Sequence, residues 1–291
     1  MASQAHIAVE NFGPSGREYD LARGTAALKV LALLDSRRIS YCVLHGYEAF
    51  PEAPGSDVDI VVSRDVSAAE LAQLFEDNST QLGAKVVRQD GYHFLLNGET
   101  DEHRPFILDL DISLDCEVGD AYLYSGEDIL RSRRRHDGIW IPAAHIQFSW
   151  YLARRVIKKG ILEAHERRLT FLFRQDPAGC ACAVRRFFSD GNAGLIEEAA
   201  RSGDWSAIRG NLGALHSELL RTVYLRRPGR TVLGKFARVG RCALKLIAPR
   251  RGFVLVLLGP DGAGKSSVSS AICEQMAGAF SSSVVLRFPP A

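Results

Sequence analysis

The sequence predicts an α/β protein in three parts: a mixed-sheet domain at the front, a helical middle region and the start of a parallel-sheet domain at the end. Three observations support this. Short apolar and β-branched segments alternate with helical periodicity over residues 21–112. Helical spacing then dominates residues 143–248. Finally, an unbroken apolar run at residues 253–258 leads into a glycine-rich turn, as a buried parallel strand does.

The chain has 291 residues, which is enough for two domains and part of a third. A content of 46% hydrophobic and 24% charged residues is ordinary for a soluble globular protein. The net charge of +2 predicts no specific nucleic-acid partner. We divide the chain into a loose N-terminus (1–17), the mixed-sheet domain (18–140), the helical region (141–250) and the last domain (251–291).

The elements of the front domain follow from periodicity. A helix is predicted over residues 21–34 and a strand over 39–44. A loop rich in Pro, Gly and Ser leads to a second strand at 58–62. Ser67 is a plausible cap for an amphipathic helix that ends near Asp77. Three further strands are expected at residues 84–87, 92–96 and 106–112.

The helical region is divided by turn residues. Breaks are expected at Asp176-Pro177, Asp190-Gly191 and Arg227-Pro-Gly229. A joint at residues 249–252 then precedes the final strand. An order of strands and helices followed by a helical block predicts a mixed α/β domain that carries a helical extension.

Cysteine usage and the N-terminus predict a cytoplasmic protein. The first twenty residues lack the apolar core of a signal peptide, and no apolar run is long enough to cross a bilayer. The six cysteines include one close pair, Cys180 and Cys182, whose spacing fits neither a disulfide framework nor a paired zinc site. Reduced thiols are expected.

Residues 259–266 match G-x-x-x-x-G-K-[ST] position by position. In such a loop the glycines turn backbone N–H groups inward around phosphate, and the following helix adds its positive end. Lys265 is expected to hold the β- and γ-phosphates of ATP or another nucleoside triphosphate, and the Ser266 hydroxyl to bind Mg²⁺. The predicted nucleotide-binding residues of this loop are Gly259, Pro260, Asp261, Gly262, Ala263, Gly264, Lys265, Ser266 and Ser267.

The segment GPDGAGKSS resembles the loop of the thymidylate kinase family, and more closely that of a thymidylate-kinase-like group in bacterial polysaccharide loci. The resemblance covers residues 252–291. It implies that Asp261 lies beside the phosphoryl acceptor, and that Arg287, after a strand at 284–287, is a basic residue near it. The family's second carboxylate motif, lid arginines and base pocket have no counterpart before Ala291, so we expect them beyond it.

A second constellation lies near the front. Asp57 and Asp59 alternate with apolar residues on one strand, so both carboxylates should project from one face. Asp109 and Asp111 stand in the same relation on a later strand. Converging carboxylates can hold Mg²⁺, which positions a nucleoside triphosphate. Charges in such apolar strands are costly unless they are paired or bound to metal.

This constellation resembles the nucleotidyltransferase superfamily over roughly residues 25–115, because His45-Gly46 precedes a loop of about ten residues and an Asp-apolar-Asp strand. The resemblance implies that Asp57 and Asp59 are catalytic metal ligands, with Asp109 as the third carboxylate and Asp111 as its alternative. Gly46 would lie at the turn that approaches the phosphates. Tyr47 departs from the small residue of that family and would crowd the nucleotide.

Two basic segments accompany these sites. Residues 221–251 contain ten Lys or Arg and no acid. This segment is either a connecting helix with solvated cations or a surface for an acidic membrane or a polyanionic glycan. Residues 131–136 form a shorter basic cluster, either a solvated loop or a contact for triphosphate or an anionic substrate. His45 is interpreted as structural.

Three functions therefore stay open. The first is an ATP-dependent kinase that transfers γ-phosphate to a nucleotide or a sugar-linked acceptor through Lys265, Ser266 and Asp261. The second is a Mg²⁺-dependent nucleotidyltransferase that uses Asp57, Asp59 and Asp109. The third is a non-catalytic nucleotide-binding or regulatory module.

Overall fold

The computed structural model describes residues 16–47, 49–52, 54, 57–118, 121–226, 255–260 and 262–275. The front part alternates helices and strands, and residues 144–226 are helical. The elements, in chain order, are α1 (Arg17–Ser36), β1 (Tyr41–His45), β2 (Val58–Val62), α2 (Ala68–Asp77), α3 (Ser79–Leu82), β3 (Ala84–Asp90), β4 (His93–Glu99), β5 (Pro105–Ser113), β6 (Asp115–Val118), β7 (Ala121–Ser125), α4 (Gly126–Ser132), β8 (Arg134–His136), β9 (Ile139–Ile141), α5 (Ala144–Ile157), α6 (Glu163–Gln175), α7 (Pro177–Arg185), α8 (Asp190–Ser202), α9 (Ser206–Gly210), α10 (Leu212–Arg226) and α11 (Lys265–Gln275).

Five strands form one mixed sheet in the order β1-β2-β5-β4-β3. β2 pairs antiparallel with β1 and parallel with β5, while β4 pairs antiparallel with both β5 and β3. The predicted α/β class, with a mixed sheet at the front and a helical region after it, is confirmed. Two short hairpins, β6–β7 and β8–β9, were not predicted.

The two faces of the sheet have different neighbours. On one face Val58 and Ile60 belong to a core cluster that also contains residues of α1 and α2, such as Leu31 and Phe75. Side chains alternate along a strand, so Val61 points to the other face, where it joins a cluster built mainly from α5 to α10. The same alternation directs Asp59 away from α1.

Local sequence explains where α2 and α7 begin. Ser67 accepts a hydrogen bond from the Glu70 N–H, and the Glu70 side chain accepts one from the Ser67 N–H, which is the reciprocal capping box. Asp176 caps α7 through the Gly179 N–H, and Pro177 occupies the first turn. These ends confirm the predicted cap and the predicted break at Asp176-Pro177.

The final apolar segment differs from its prediction. Residues 255–258 pair with no strand in the described part of the chain, and the exposed fraction of Leu258 is 89%. A parallel strand needs hydrogen-bonding neighbours on the same sheet, and no described strand supplies one. Residues 227–254, which carry most of the basic connecting segment, and the strand expected at 284–287 lie outside the described residues.

The cysteines in the described part of the chain are free thiols. Cys42, Cys116 and Cys180 are buried free thiols, Cys182 is an exposed one and Cys273 is a half-buried one, while Cys242 lies outside the described residues. None of the described helices is both long and apolar enough to span a membrane.

Gly24 allows α1 to lie directly against the loop that precedes β2. A Cβ at this position would be 2.0 Å from the carbonyl oxygen of Pro51. Gly24→Ala should therefore lower the free energy of unfolding by about 1–3 kcal/mol, measured by denaturant titration. Gly194→Ala, on the exposed side of α8 with no atom within 4 Å of the added Cβ, is the control and should be neutral or stabilising. A smaller loss at Gly24 than at Gly194 would contradict the close approach.

Candidate active site

The carboxylates predicted from the Asp-Val-Asp segment line a cavity of about 780 Å³. Asp57 lies immediately before β2, and Asp59 lies within it. Asp111 on β5 is the register partner of Asp59 across the parallel pair and lines the same cavity. Two neighbouring strands thus bring three carboxylates to one cavity, and alternation along residues 57–59 accounts for the shared face of Asp57 and Asp59.

Asp109, the first choice for the third carboxylate, lies outside the cavity lining. Its Oδ1 atom is 2.7 Å from Nε2 of His93 on the adjacent strand β4. Asp111, two residues further along β5, occupies the position that was expected of Asp109. The geometry therefore favours the alternative assignment.

Helix α5 contributes basic and aromatic residues to the lining of the cavity. Trp150, Arg154 and Lys158 are spaced four residues apart along α5 and its end, so they share one face of the helix. Arg154 Nη1 is 3.2 Å from Asp59 Oδ2, and the guanidinium is 5.4 Å from the centre of the Trp150 ring. None of these three residues was predicted from the sequence, although the spacing of an aromatic and two cations at i, i+4 and i+8 was a usable signal.

The lining of the cavity also contains a second ion pair. Asp115 is buried, accepts a hydrogen bond from the Gly126 N–H and lies 2.5 Å from Arg64 Nη2. Gly126 starts α4 and leaves no room for a side chain, because a Cβ would be 2.2 Å from the Leu114 carbonyl oxygen. These contacts give Asp115 a structural role at the edge of the cavity.

Burial and mutual repulsion act together on the carboxylates. Desolvation raises the pKa of Asp59 to about 6, with further increases from Asp57 and Asp111, while Arg154 opposes the rise. Desolvation also raises the pKa of Asp111, and His93 opposes that rise. Repulsion of this kind is what a bound cation relieves.

The donor chemistry suits magnesium in one particular way. Among the residues that the structure describes, no group of three or more His, Cys, Asp or Glu side chains is placed to hold a metal ion. Mg²⁺ commonly takes one or two carboxylates and fills its shell with water and substrate phosphates. The register pair Asp59 and Asp111 fits that mode, whereas a preformed cage of Asp57, Asp59 and Asp109 is not present.

Two residues near β1 differ from their expected roles. Gly46 has φ 85°, a conformation that favours glycine, and makes the predicted turn at the end of β1, but it does not line the cavity. Tyr47 is 7% exposed and belongs to the core cluster next to α1, with its hydroxyl donating to Gln147 Oε1 at 2.6 Å. Tyr47 therefore does not crowd the cavity, because its ring is directed into the core.

His45 lies opposite Asp59 because a register shift interrupts the β1–β2 ladder between Val43 and His45. Its Nδ1 is 3.2 Å from Arg168 Nη1. A guanidinium only donates hydrogen bonds, so Nδ1 accepts and the ring proton lies on Nε2. This contact supports the structural role expected of His45.

No residue of the basic cluster at residues 131–136 lines the cavity. Arg133 and Arg135 instead pack on Trp140, with their guanidinium carbons 4.7 and 4.3 Å from the ring centre. Arg135 also pairs with Asp35 on α1. The structure thus gives these arginines partners within the fold.

The predicted phosphate loop is described in part, with Asp261 and Arg287 outside the described residues. Gly262 and Gly264 have φ of 86° and 77°, and α11 begins at Lys265. Lys265 Nζ donates to the carbonyl oxygens of Gly259 and Pro260 at 2.5 and 2.6 Å. The predicted glycine turn followed by a helix is therefore observed. Pro260, Ala263, Ser266 and Ser267 are exposed.

No protein-family model and no curated protein sequence matches this chain. Among solved structures, the chain is similar to an antigenic nucleotidyltransferase-like protein from Paracoccidioides brasiliensis, with 12% identity, a TM-score of 0.37, and coverage of 68% of this chain and 93% of that one. It is also similar to a protein from H. pylori proposed to be a nucleotidyltransferase, with 12% identity, a TM-score of 0.30, and coverage of 70% and 97%. These values are too low to establish a family or an activity. The thymidylate-kinase resemblance of residues 252–291 stays a prediction.

The raised pKa of Asp59 makes stability depend on pH in a defined direction. Between the ordinary aspartate pKa, about 3.9, and the folded value of about 6, the folded state binds a proton that the unfolded state lacks. The contribution of Asp59 to the free energy of unfolding should therefore fall as pH rises through this window. The difference between the wild-type protein and Asp59→Asn should decrease by about 2 kcal/mol from pH 4 to pH 7 in denaturant titrations.

The control for this measurement is Asp204→Asn. Hydrogen bonds from Ser206 lower the pKa of Asp204, so its contribution is present above the unfolded pKa and is lost as pH falls. Its pH slope should have the opposite sign. A rising or flat difference for Asp59→Asn would show that Asp59 is not held in a desolvated site.

Proposed function

We propose that this chain is a magnesium-dependent nucleotidyltransferase whose active site is the cavity between β2, β5 and α5. One observation carries the proposal: the carboxylates of Asp57, Asp59 and Asp111 line the same cavity as two cationic side chains, Arg154 and Lys158. Carboxylates suit the metal, and cations suit the phosphates of a nucleoside triphosphate.

The carboxylates and the cations of the cavity have separate roles in the proposed reaction. Asp59 and Asp111 would hold the ion, and Asp57 adds negative charge beside them. Bound magnesium would supply Lewis-acid stabilisation of the charge that develops on the α-phosphate. Arg154 and Lys158 would bind and orient the phosphates, and Arg154 is positioned for this by its contact with the Trp150 ring.

The glycine loop supports a second candidate, phosphate binding by residues 259–266, as the thymidylate-kinase resemblance predicts. The specific observation is the positive φ of Gly262 and Gly264 directly before α11. Lys265 would exchange its carbonyl partners for the β- and γ-phosphates, and Ser266 would hold Mg²⁺. Transfer of γ-phosphate to a nucleotide or sugar-linked acceptor is the activity this site would serve.

One labelling experiment separates the two candidates. The full chain is incubated with Mg²⁺ and either α- or γ-labelled nucleoside triphosphates, with protein, RNA, nucleotide and sugar-phosphate acceptors. We expect α-label to enter an acceptor and to be lost in Asp59→Asn but retained in Lys265→Ala. Label from the γ position that depends on Lys265 would instead support the kinase. Absence of α-transfer to every acceptor class, or α-transfer unaffected by Asp59→Asn, would refute the nucleotidyltransferase proposal.

A further inference from the structure

The ion pair between Arg154 and Asp59 lies where the metal is expected. Arg154 Nη1 and Asp59 Oδ2 are 3.2 Å apart, and the exposed fractions of the two side chains are 20% and 16%. A guanidinium on this carboxylate oxygen and a divalent cation on the same carboxylate repel each other strongly in a partly buried cavity. Arg154 and the metal therefore compete for Asp59.

An anion that enters the cavity would draw the Arg154 guanidinium away from Asp59. The guanidinium is held on one side by this carboxylate and on the other by the face of the Trp150 ring. A phosphate group carries more charge than a carboxylate and offers the planar guanidinium a bidentate partner. Lys158, one helical turn further along the chain, adds a second cation toward which a polyphosphate is drawn.

From this geometry we infer that Arg154 exchanges partners during loading of the site, an inference that rests on the proposed function. In the protein without nucleotide, Arg154 neutralises Asp59 and weakens metal binding there. When the polyphosphate of a nucleotide binds, it takes the guanidinium, and Asp59 becomes available to the metal. The two ligands therefore bind with positive coupling, and neither binds tightly alone.

Substitution of Arg154 should have opposite effects on the binding of the metal ion and of the nucleotide. Arg154→Gln removes the competing cation, so Mn²⁺ alone should bind about tenfold more tightly than to the wild-type protein. The same change removes a phosphate partner, so a metal-free nucleoside triphosphate in EDTA should bind about tenfold more weakly. A residue that merely supports the fold would weaken both ligands or neither.

The measurements use the full chain with Lys265→Ala, so that the glycine loop does not contribute. Mn²⁺ binding is followed by electron paramagnetic resonance of the free ion, and nucleotide binding by calorimetry and by fluorescence of Trp150, with Trp150→Phe identifying its share of the signal. Lys159 follows Lys158 in the chain but does not line the cavity, so Lys159→Gln is the control. It removes one positive charge and should leave both affinities within about twofold. Addition of Asp59→Asn to Arg154→Gln should abolish the gain in Mn²⁺ affinity.

Arg154→Lys keeps the charge and guards against a failure of Arg154→Gln to fold. It should retain the weak Mn²⁺ binding of the wild-type protein while losing bidentate phosphate binding. Unchanged or weaker Mn²⁺ binding in a folded Arg154→Gln protein would overturn the inference, even if α-label transfer is observed. Opposite shifts without α-label transfer would uphold the exchange and refute only the proposed reaction.

Discussion

Asp111→Asn should lower the rate of α-label transfer on the order of 1000-fold, whereas Asp109→Asn should lower it by less than about fivefold. The two aspartates are two residues apart on β5, so their backbone environments are closely matched. Asp111 lies opposite Asp59 and lines the cavity, whereas Asp109 is bonded to His93. Asparagine keeps the size of either side chain and removes the charge that a divalent cation requires.

The measurement is kcat/KM for the labelled nucleotide at saturating Mg²⁺, with the folded state of each variant checked by circular dichroism. Equal losses of activity for Asp109→Asn and Asp111→Asn would show that lining the cavity does not distinguish the roles of these two aspartates. A larger loss at Asp109 would restore it as the third carboxylate.

Trp205→Ala should destabilise the protein by about 3–5 kcal/mol, which is a large part of the stability of an ordinary domain. The side chain is fully buried, and its indole N–H donates to Thr170 Oγ1 at 3.1 Å. The substitution leaves a cavity between α6, α8 and α9 and also leaves the buried threonine hydroxyl without this partner. The loss should appear in the free energy of unfolding from denaturant titration.

Phe171→Ala is the matched control, because Phe171 is an aromatic residue of α6 next to Thr170 but is 61% exposed. It should change the free energy of unfolding by about 0.5 kcal/mol or less. Similar losses at Trp205 and Phe171 would mean that the helical region is not packed as described.

Sequence was a sufficient guide to elements with strong periodicity. The Asp-Val-Asp-Ile-Val-Val segment fixed both the strand and the common face of Asp57 and Asp59, because alternation is a property of the strand itself. The hairpins β6–β7 and β8–β9 escaped prediction because three of their four strands have only three or four residues, too few to establish a period.

The choice between Asp109 and Asp111 depends on a different kind of information. Alternation places both on the same face of β5, so the strand alone cannot separate them. Side-chain packing separates them: His93, whose register partner is Asp111, directs its ring to Asp109, and Asp111 lines the cavity. Arg154 is a similar case, since it is brought to Asp59 by packing of α5 against residues far away in the chain. Tertiary packing also turned Tyr47 toward Gln147 and away from the cavity.

The apolar residues on the α5 side of the sheet join the strands and the helical region in one core. Cys42, Leu44 and Val61 come from β1 and β2, yet they belong to the same core cluster as Trp205 and Leu219. A truncation or recombination near residue 140 would separate the strands from the helices and expose these apolar side chains to solvent. Sheet and helices therefore cover one another's apolar side chains, and this shared core also keeps Asp59 on β2 beside Arg154 on α5.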